Sequence, residues 1–280
     1  MPDNENILRI LMIGDVVGEP GLLVLEAQLP QIIAENKADI TVVNGENAAD
    51  GFGLTEAALR RILGSGADVV TSGNHVWEKR DFLPFLDSEE RVLRPANYPA
   101  GNGNTKTPGH GWIRLNKTSA KNTVVINLQG RELMSPIDCP FRCFDAIAKE
   151  VNPENSPDKA VVIVDFHAES TREKEALAYY LDGRASLIAG THTHVQTADE
   201  RILPGGAAYI TDLGMTGIID SVIGMDPKIC IERVKKQILY RMEPAKNGEN
   251  EDGQTLRAAV QGIIAEIDLE SGKAVSIKRI

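Results

Sequence analysis

Leu187-Ile188-Ala189-Gly190-Thr191-His192-Thr193-His194 is a short apolar run that breaks at glycine and ends in two histidines one residue apart. A run of this length, cut off by glycine, reads as a strand buried on both faces. The same pattern recurs along the chain. Residues 7–13 end in Gly14-Asp15, residues 40–43 in Asn44-Gly45-Glu46-Asn47, and residues 69–71 in Ser72-Gly73-Asn74-His75. Residues 161–164 end in Asp165-Phe166-His167, residues 208–210 in Thr211-Asp212-Leu213-Gly214, and residues 124–128 form a further strand. Helical patterns fall between them. Residues 22–36 are amphipathic, with Pro30 as an expected kink. Residues 55–63 open on a capping threonine, and residues 171–181 carry Ala176, Leu177 and Tyr180 at helical spacing. Gly18-Glu19-Pro20-Gly21 reads as a helix start, since proline suits a first turn. Strand–helix alternation predicts an α/β fold. Residues 237–242, 259–267 and 274–280 read as antiparallel strands, joined by an acidic loop (243–254) and a turn (269–273). The polar loops 100–111 and 152–159 are too short to split the chain, so a single domain over 1–280 is expected.

Composition narrows the function classes. The 280 residues carry 30 basic and 40 acidic side chains, a net charge of −10. Such a chain lacks the broad basic surface that long nucleic acids require. A small phosphorylated substrate is compatible with it, because bound divalent cations would supply positive charge locally. A chain of this length buries enough surface to fold without a structural metal, so a metal site can serve chemistry. No run of about 18 apolar residues marks a membrane span. The polar, acidic start has no secretory-signal pattern. Cys139, Cys143 and Cys230 are an odd, sparse set, read as reduced thiols in a cytoplasmic protein, and the first two fit no ligand spacing.

The chemistry-bearing residues sit together in this pattern. Asp15, Glu46, Asn74, His75, His167, His192 and His194 all lie at or just past the carboxyl ends of predicted strands, the edge where α/β sheets bind ligands. If residues 192–194 are extended, both imidazoles point to one face, and Thr193 faces away. Gly73 permits a tight turn, the Asn74 amide oxygen is a hard ligand, and His75 can donate a proton. The Glu46 carboxylate can bridge two cations, with the Asn47 amide beside it. Asp165 either orients a ligand or pairs elsewhere in its strand. Glu169, Arg172 and Lys174, on a helix of mixed charge, read as a solvated face. His110 has no evident partner. Each motif alone is an ordinary turn or cap. Their coincidence at one sheet edge predicts a pair of borderline divalent ions such as Mn, Fe or Zn. The lack of cysteine among the donors speaks against structural zinc.

In this order the motifs resemble those of the calcineurin-like metallophosphoesterase superfamily: Gly14-Asp15, Gly45-Glu46-Asn47, Gly73-Asn74-His75, His167 and Gly190-Thr191-His192-Thr193-His194. There are two departures. Asp15-Val16-Val17 stands where Asp-x-His is usual, and Glu46 followed by Asn47 stands where Asp is usual. Both departures resemble the YmdB-type branch, as do the longer stretches Ile13-Gly14-Asp15-Val16-Val17-Gly18 and Thr211-Asp212-Leu213-Gly214-Met215-Thr216-Gly217. The resemblance implies a four-layer α/β/β/α metallophosphoesterase sandwich holding two transition-metal ions, Fe or Mn first and Zn third. It implies that Glu46 bridges them, that Asp15, Asn47 and His194 complete one, and that Asn74, His167 and His192 complete the other. His75 is then the general acid. The implied activity is hydrolysis of 2′,3′-cyclic and, in some members, 3′,5′-cyclic nucleotides by metal-activated water. The expected partner is thus a small cyclic nucleotide, with no long nucleic acid and no membrane. Exposed edges of the C-terminal strands leave a homo-oligomer open. A di-metal phosphomonoesterase, a nuclease on short RNA ends and a non-catalytic nucleotide-binding regulator remain as alternatives.

Overall fold

The computed structural model describes residues 6–102, 106–115, 117, 122–152, 159–246, 248 and 255–280. The first sheet runs in the order β14 (Ala274–Arg279), β13 (Gly262–Asp268), β1 (Ile7–Ile13), β3 (Ile40–Asn44) and β4 (Val69–Thr71). Strands β1, β3 and β4 are parallel, and β13 runs antiparallel to both neighbours. The second sheet runs β5 (Trp112–Leu115), β6 (Thr123–Gln129), β7 (Val161–His167), β8 (Leu187–Thr191), β10 (Ala208–Ile210) and β9 (Arg201–Ile202), parallel from β6 to β10 with antiparallel edges. A small third sheet joins β2 (Asp15–Val16), β11 (Met215–Ile218) and β12 (Ala258–Ala259).

Side-chain alternation stacks the layers. Leu8, Ile10 and Met12 of β1 meet Val125, Ile163, Leu187 and Ala208 of the other sheet, while Leu11 and Ile13 face the opposite way. There they pack on Leu22, Leu25 and Leu29 of α1 (Gly18–Asn36) and on Leu59 and Ile62 of α2 (Glu56–Gly64). In the second sheet Val162, Val164 and Phe166 turn outward onto Phe144 and Ile147 of α4 (Pro140–Val151) and Leu177 and Leu181 of α5 (Thr171–Leu181). The result is the α/β/β/α sandwich. It also explains why the core strands read as unbroken apolar runs, since both faces are covered. The short α3 (Leu83–Ser88) follows β4, and α6 (Pro227–Lys236) follows β11. Among the described residues no helix is long and apolar enough to cross a membrane.

Several expectations need correction. The strands with ligand-type ends are divided between two facing sheets, not aligned in one. Strand β7 runs on through His167 and β8 through Thr191, because the polar ends keep pairing with their neighbours. Residues 237–242 form no strand. Gln237 takes a left-handed conformation that ends α6, and Ile238 and Leu239 are exposed with no partner strand among the described residues. Helix α1 begins at Gly18, as the Gly-Glu-Pro-Gly signal indicates, and runs through Pro30. The antiparallel β13–β14 pair is as expected. The N-terminal residues 1–5, most of the polar loop 152–159 and most of the acidic loop 243–254 lie outside the described residues.

Candidate metal centre

The two sheets bring their carboxyl ends together, and the donors meet there. Strand β1 ends at Ile13, and after Gly14 the chain leaves the first sheet to pair Asp15 with Met215 of β11. A Cβ at residue 14 would lie 2.2 Å from the Gly214 carbonyl oxygen, so only glycine allows this crossing. Strands β3 and β4 deliver Glu46 and Asn74. Strands β7 and β8 deliver His167, His192 and His194 from the opposite sheet. Glycine at 73 is required for space and not for a turn, since its φ is not positive. A Cβ there would stand 2.2 Å from His167 Cδ2 and 2.3 Å from Glu46 Oε2.

The centre of the cluster is His167 Nε2. Glu46 Oε1 lies 3.0 Å from it, Asn74 Oδ1 3.1 Å and His192 Nδ1 2.8 Å. A ring nitrogen carries at most one hydrogen, so three acceptor atoms aimed at it exceed what it can satisfy. Atoms of Glu46, His167 and His192 come within 4.8 Å of one another, close enough to hold one metal ion. On the other side of Glu46, Asn47 Nδ2 donates to Glu46 Oε1 at 3.1 Å and lies 3.1 Å from His194 Nε2. Asp15 closes the group. Its Oδ2 accepts the His192 backbone N–H at 3.0 Å, while its Oδ1 is buried without a hydrogen-bond partner among the described residues. His75 stands at the rim, its backbone N–H donating to Glu46 Oε2 at 3.2 Å and its ring packed edge-on against Phe52.

Two fully buried carboxylates need positive charge beside them. A proton on His167 supplies it. Burial alone would lower the basicity of that imidazole, but the charges of Glu46, Asp15 and Asp165 overcome this and push it up to about 9. Burial likewise opposes ionisation of Glu46, yet the charge and hydrogen bond of His167 hold it well below the usual carboxylate range. Asp15 is pushed up to about 7, mainly by burial. His192 is pulled down to about 3 by burial and by the His167 charge, so it stays neutral with a lone pair available.

Each histidine also has a partner that fixes its inward-facing atom. Thr191 Oγ1 donates to Asp165 Oδ1 at 2.7 Å, so its 2.9 Å contact with His167 Nδ1 must be the ring N–H donating, which directs Nε2 inward. His194 Nδ1 donates to the Ile223 carbonyl at 2.9 Å, again leaving Nε2 inward. His192 presents Nδ1 inward and lies 3.2 Å from Glu169 Oε2 through Nε2.

A family model described as YmdB-like protein matches residues 11–280. The chain belongs to the YmdB-like family. It is 45% identical over 273 residues to a 2′,3′-cyclic-nucleotide 2′-phosphodiesterase of Bacillus subtilis, covering 98% of this chain and 96% of that one. It is 32% identical to a putative phosphatase/phosphodiesterase of Mycoplasma pneumoniae, covering 98% and 93%. Among solved structures it is similar to a novel phosphatase from Mycoplasma pneumoniae, with a TM-score of 0.86 at 31% identity over 98% of this chain and 93% of that one. It is also similar to a hypothetical protein from Thermus thermophilus, with a TM-score of 0.82 at 37% identity over 98% of both chains. As a member of this family the chain is an enzyme, a hydrolase of phosphoric esters.

The family motifs carry more than their residue types reveal. Residues 192–194 are not extended: His192 has φ 103° and His194 φ 63°, left-handed values that non-glycine residues rarely adopt. The two rings therefore reach different partners. Thr193 does face away, as expected, and is gripped from behind. Asp212 Oδ2 accepts from Thr193 N at 3.0 Å, Thr193 Oγ1 at 2.8 Å and Lys174 Nζ at 2.7 Å. Lys174, expected on a solvated face, is only 1% exposed. A helical mixed-charge pattern gave no sign of this, because the aliphatic stem of lysine is compatible with burial once a carboxylate meets its head. Glu169 turns toward His192, whereas Arg172 stays in solvent, paired with Glu132. Asp165 combines the two readings left open: it reaches His167 only through Thr191, and its Oδ2 also accepts from Thr71 Oγ1 and from Asn44 Nδ2 at 3.1 Å. His110 lies 3.4 Å from the Asp87 carbonyl through its Nε2. The three cysteines are free.

Proposed function

We propose that this chain is a two-metal phosphodiesterase that opens the ring of 2′,3′-cyclic nucleotides. The observation that carries the reading is the convergence of unsatisfied acceptor atoms on His167 Nε2 beside the orphaned Asp15 Oδ1, a donor set suited to cations. The activity printed for the Bacillus subtilis relative supports the substrate. Glu46 would bridge the cations, with Asp15, Asn47 and His194 holding one, and Asn74, His167 and His192 the other. Asn47 would present its Oδ1 face in place of the amide hydrogens. When bound, the cations lower the pKa of water and neutralise charge building on the phosphoryl oxygens. Fe or Mn fits the oxygen-rich set best, and Zn is the third candidate.

The protein groups do the rest. In hydrolysis, water adds to phosphorus and the bond from phosphorus to a ribose oxygen breaks, so that oxygen needs a proton. His75 gives it. Its Nδ1 lies 3.4 Å from Glu78 Oε1, which orients the ring and leaves Nε2 for the leaving oxygen. Burial of Asp15, Glu46, Asn47, His167 and His194 limits the access of bulk water, while Asn74 and His192 stand at the half-open side where a substrate can enter. A small diester suits the acidic chain, whose net charge is −10.

The test is turnover of 2′,3′-cyclic AMP, 3′,5′-cyclic AMP and AMP by Mn-loaded protein, with His75→Ala beside the native chain. The 2′,3′-cyclic diester should be the preferred substrate. His75→Ala should retain its metals and lose about 100-fold or more on the cyclic diester. It should lose much less on bis(p-nitrophenyl) phosphate, whose leaving group needs no acid. Equal losses on both substrates would remove His75 from the acid role, and preference for AMP would make the enzyme a monoesterase.

A further inference from the structure

Gln129 ends β6 directly beside His167, its register partner on β7. Side chains of β6 alternate, and Val125 belongs to the core between the sheets, so Asn127 and Gln129 face that same interior. Asn127 Oδ1 accepts the Ser72 N–H at 3.1 Å, so this row reaches across to the start of the Gly73-Asn74-His75 segment. Gln129 is the next residue along the row toward the catalytic edge. It is fully buried and fastened at every atom but one. Its backbone N–H donates to Asn97 Oδ1 at 2.9 Å, its carbonyl accepts from Asn97 Nδ2 at 2.8 Å, and its Oε1 accepts from the Tyr98 hydroxyl at 3.0 Å. Its Nε2 has no hydrogen-bond partner among the described residues. The Tyr98 hydroxyl, kept protonated by burial, donates to Oε1, and with that bond made the NH₂ end of the amide is free. Tyr98 is itself half-buried and packs edge-on against Trp77, two residues past His75, with ring centroids 5.0 Å apart. An unsatisfied buried donor is destabilising unless something else satisfies it.

We propose that Gln129 recognises the nucleoside: its Nε2 donates to an uncharged oxygen or nitrogen of the sugar or base, against a wall formed by Tyr98 and Trp77. A neutral amide suits an uncharged acceptor, and the phosphoryl charge would be met by cations held in the donor set. Aromatic edges beside a fixed amide supply the apolar contact and the directional bond that specificity requires. The inference rests on the phosphodiesterase reading above.

Gln129→Met keeps the length of the side chain and removes the donor. For 2′,3′-cyclic AMP, KM should rise about tenfold while kcat stays within about twofold, the loss expected for one hydrogen bond. For bis(p-nitrophenyl) phosphate, which has neither sugar nor base, kcat/KM should fall less than about threefold. Mn²⁺ affinity by calorimetry should stay within about twofold, and the thermal midpoint should change little, since the removal of an unpaired donor offsets the loss of the Tyr98 hydroxyl's acceptor. Tyr98→Phe, which only frees the amide to turn, should raise KM for the nucleotide in the same selective sense and to a smaller degree. Equal loss on both substrates would assign the donor to the phosphoryl group and overturn the proposal. An unchanged KM for the nucleotide, or a fall in metal affinity, would overturn it too. If the native enzyme hydrolyses the aryl diester and not the cyclic nucleotide, the reading of the previous subsection fails on its own. Gln129 is then judged by adenosine as an inhibitor of aryl-diester turnover, whose Ki should rise about tenfold in Gln129→Met.

Discussion

A single methyl group at residue 73 would overlap both a candidate metal ligand and the carboxylate that joins the two halves of the site. It would sit 2.2 Å from His167 Cδ2 and 2.3 Å from Glu46 Oε2, neither of which is a flexible end free to retreat. His167 is tied to Thr191 behind it, and Glu46 receives the His75 backbone N–H. Gly73→Ala should therefore fold, since residue 73 has an ordinary backbone conformation, yet lose about 100-fold or more in Mn²⁺ affinity and in turnover. Calorimetric titration with Mn²⁺ alongside far-UV circular dichroism checks this, and tight metal binding by a folded Gly73→Ala protein would contradict the packing. At this scale the sequence was informative about what the residues are and silent about how they are held. The donors were legible because each falls where an apolar strand gives way to a polar turn. The left-handed backbone at His192 and His194 was not legible, because nothing in His-x-His distinguishes an extended pair from a strained one. The partners that set the ring tautomers come from residues such as Thr191 and Ile223, whose types carry no metal-binding signal.

Helix α5 shows what an element adds. Its bounds could be read from its spacing, and Ser170 caps it by accepting the Glu173 N–H at 3.3 Å. Its function in the fold could not, because that depends on a residue 38 positions away. Lys174 reaches from α5 through the second sheet's carboxyl edge to Asp212, just past β10, and the pair clasps Thr193 between the two site histidines. Both side chains are 1% exposed. Removing one member strands a buried charge, while removing both charges removes the need for the pair. Lys174→Met should cost about 3–5 kcal/mol of stability. Lys174→Met combined with Asp212→Asn should recover much of that stability without restoring Mn²⁺ affinity, because the asparagine grips Thr193 less firmly. Urea denaturation of the four proteins, with metal titration of those that fold, separates the two effects. Additive losses in stability would show that the two groups do not act as a pair. The misread segment at residues 237–242 has the complementary cause. Ile238, Leu239 and Tyr240 look like a strand by type, but strand formation needs a neighbour, and composition cannot say whether one exists.

The whole molecule places two negative carboxylates, Asp15 and Glu46, in the seam where the two sheets converge, and its response to pH should reveal what occupies that seam. The four-layer architecture followed from strand–helix alternation together with the family resemblance. The division of the strands into two sheets did not follow from alternation alone, because an apolar run looks the same in either sheet. That division matters, since β1, β3 and β4 carry one half of the donors and β7 and β8 the other. Once a chelator strips the cations, protons should hold the seam. His167 is raised from 6.5 to about 9, so its contribution to stability is complete below about pH 6.5 and is lost as pH rises toward 9. Asp15 is raised from 3.8 to about 7, so its contribution is likewise lost as pH rises through 7. Glu46 is lowered, so its contribution is present above 4.5 and is lost in acid. Cations bound at these residues must displace the His167 proton, and the Asp15 proton below about pH 7. The apparent Mn²⁺ affinity should accordingly climb about tenfold per pH unit between pH 7 and 8.5, and more steeply from pH 6 to 7. Over the same range the thermal midpoint of EDTA-treated protein should fall while that of Mn-loaded protein holds, so the gap between them widens. Calorimetric titrations in buffers of different ionisation enthalpy would count the protons released. An affinity that stays flat from pH 6 to 8.5, with no proton release, would mean that the cations do not bind at His167 and Asp15.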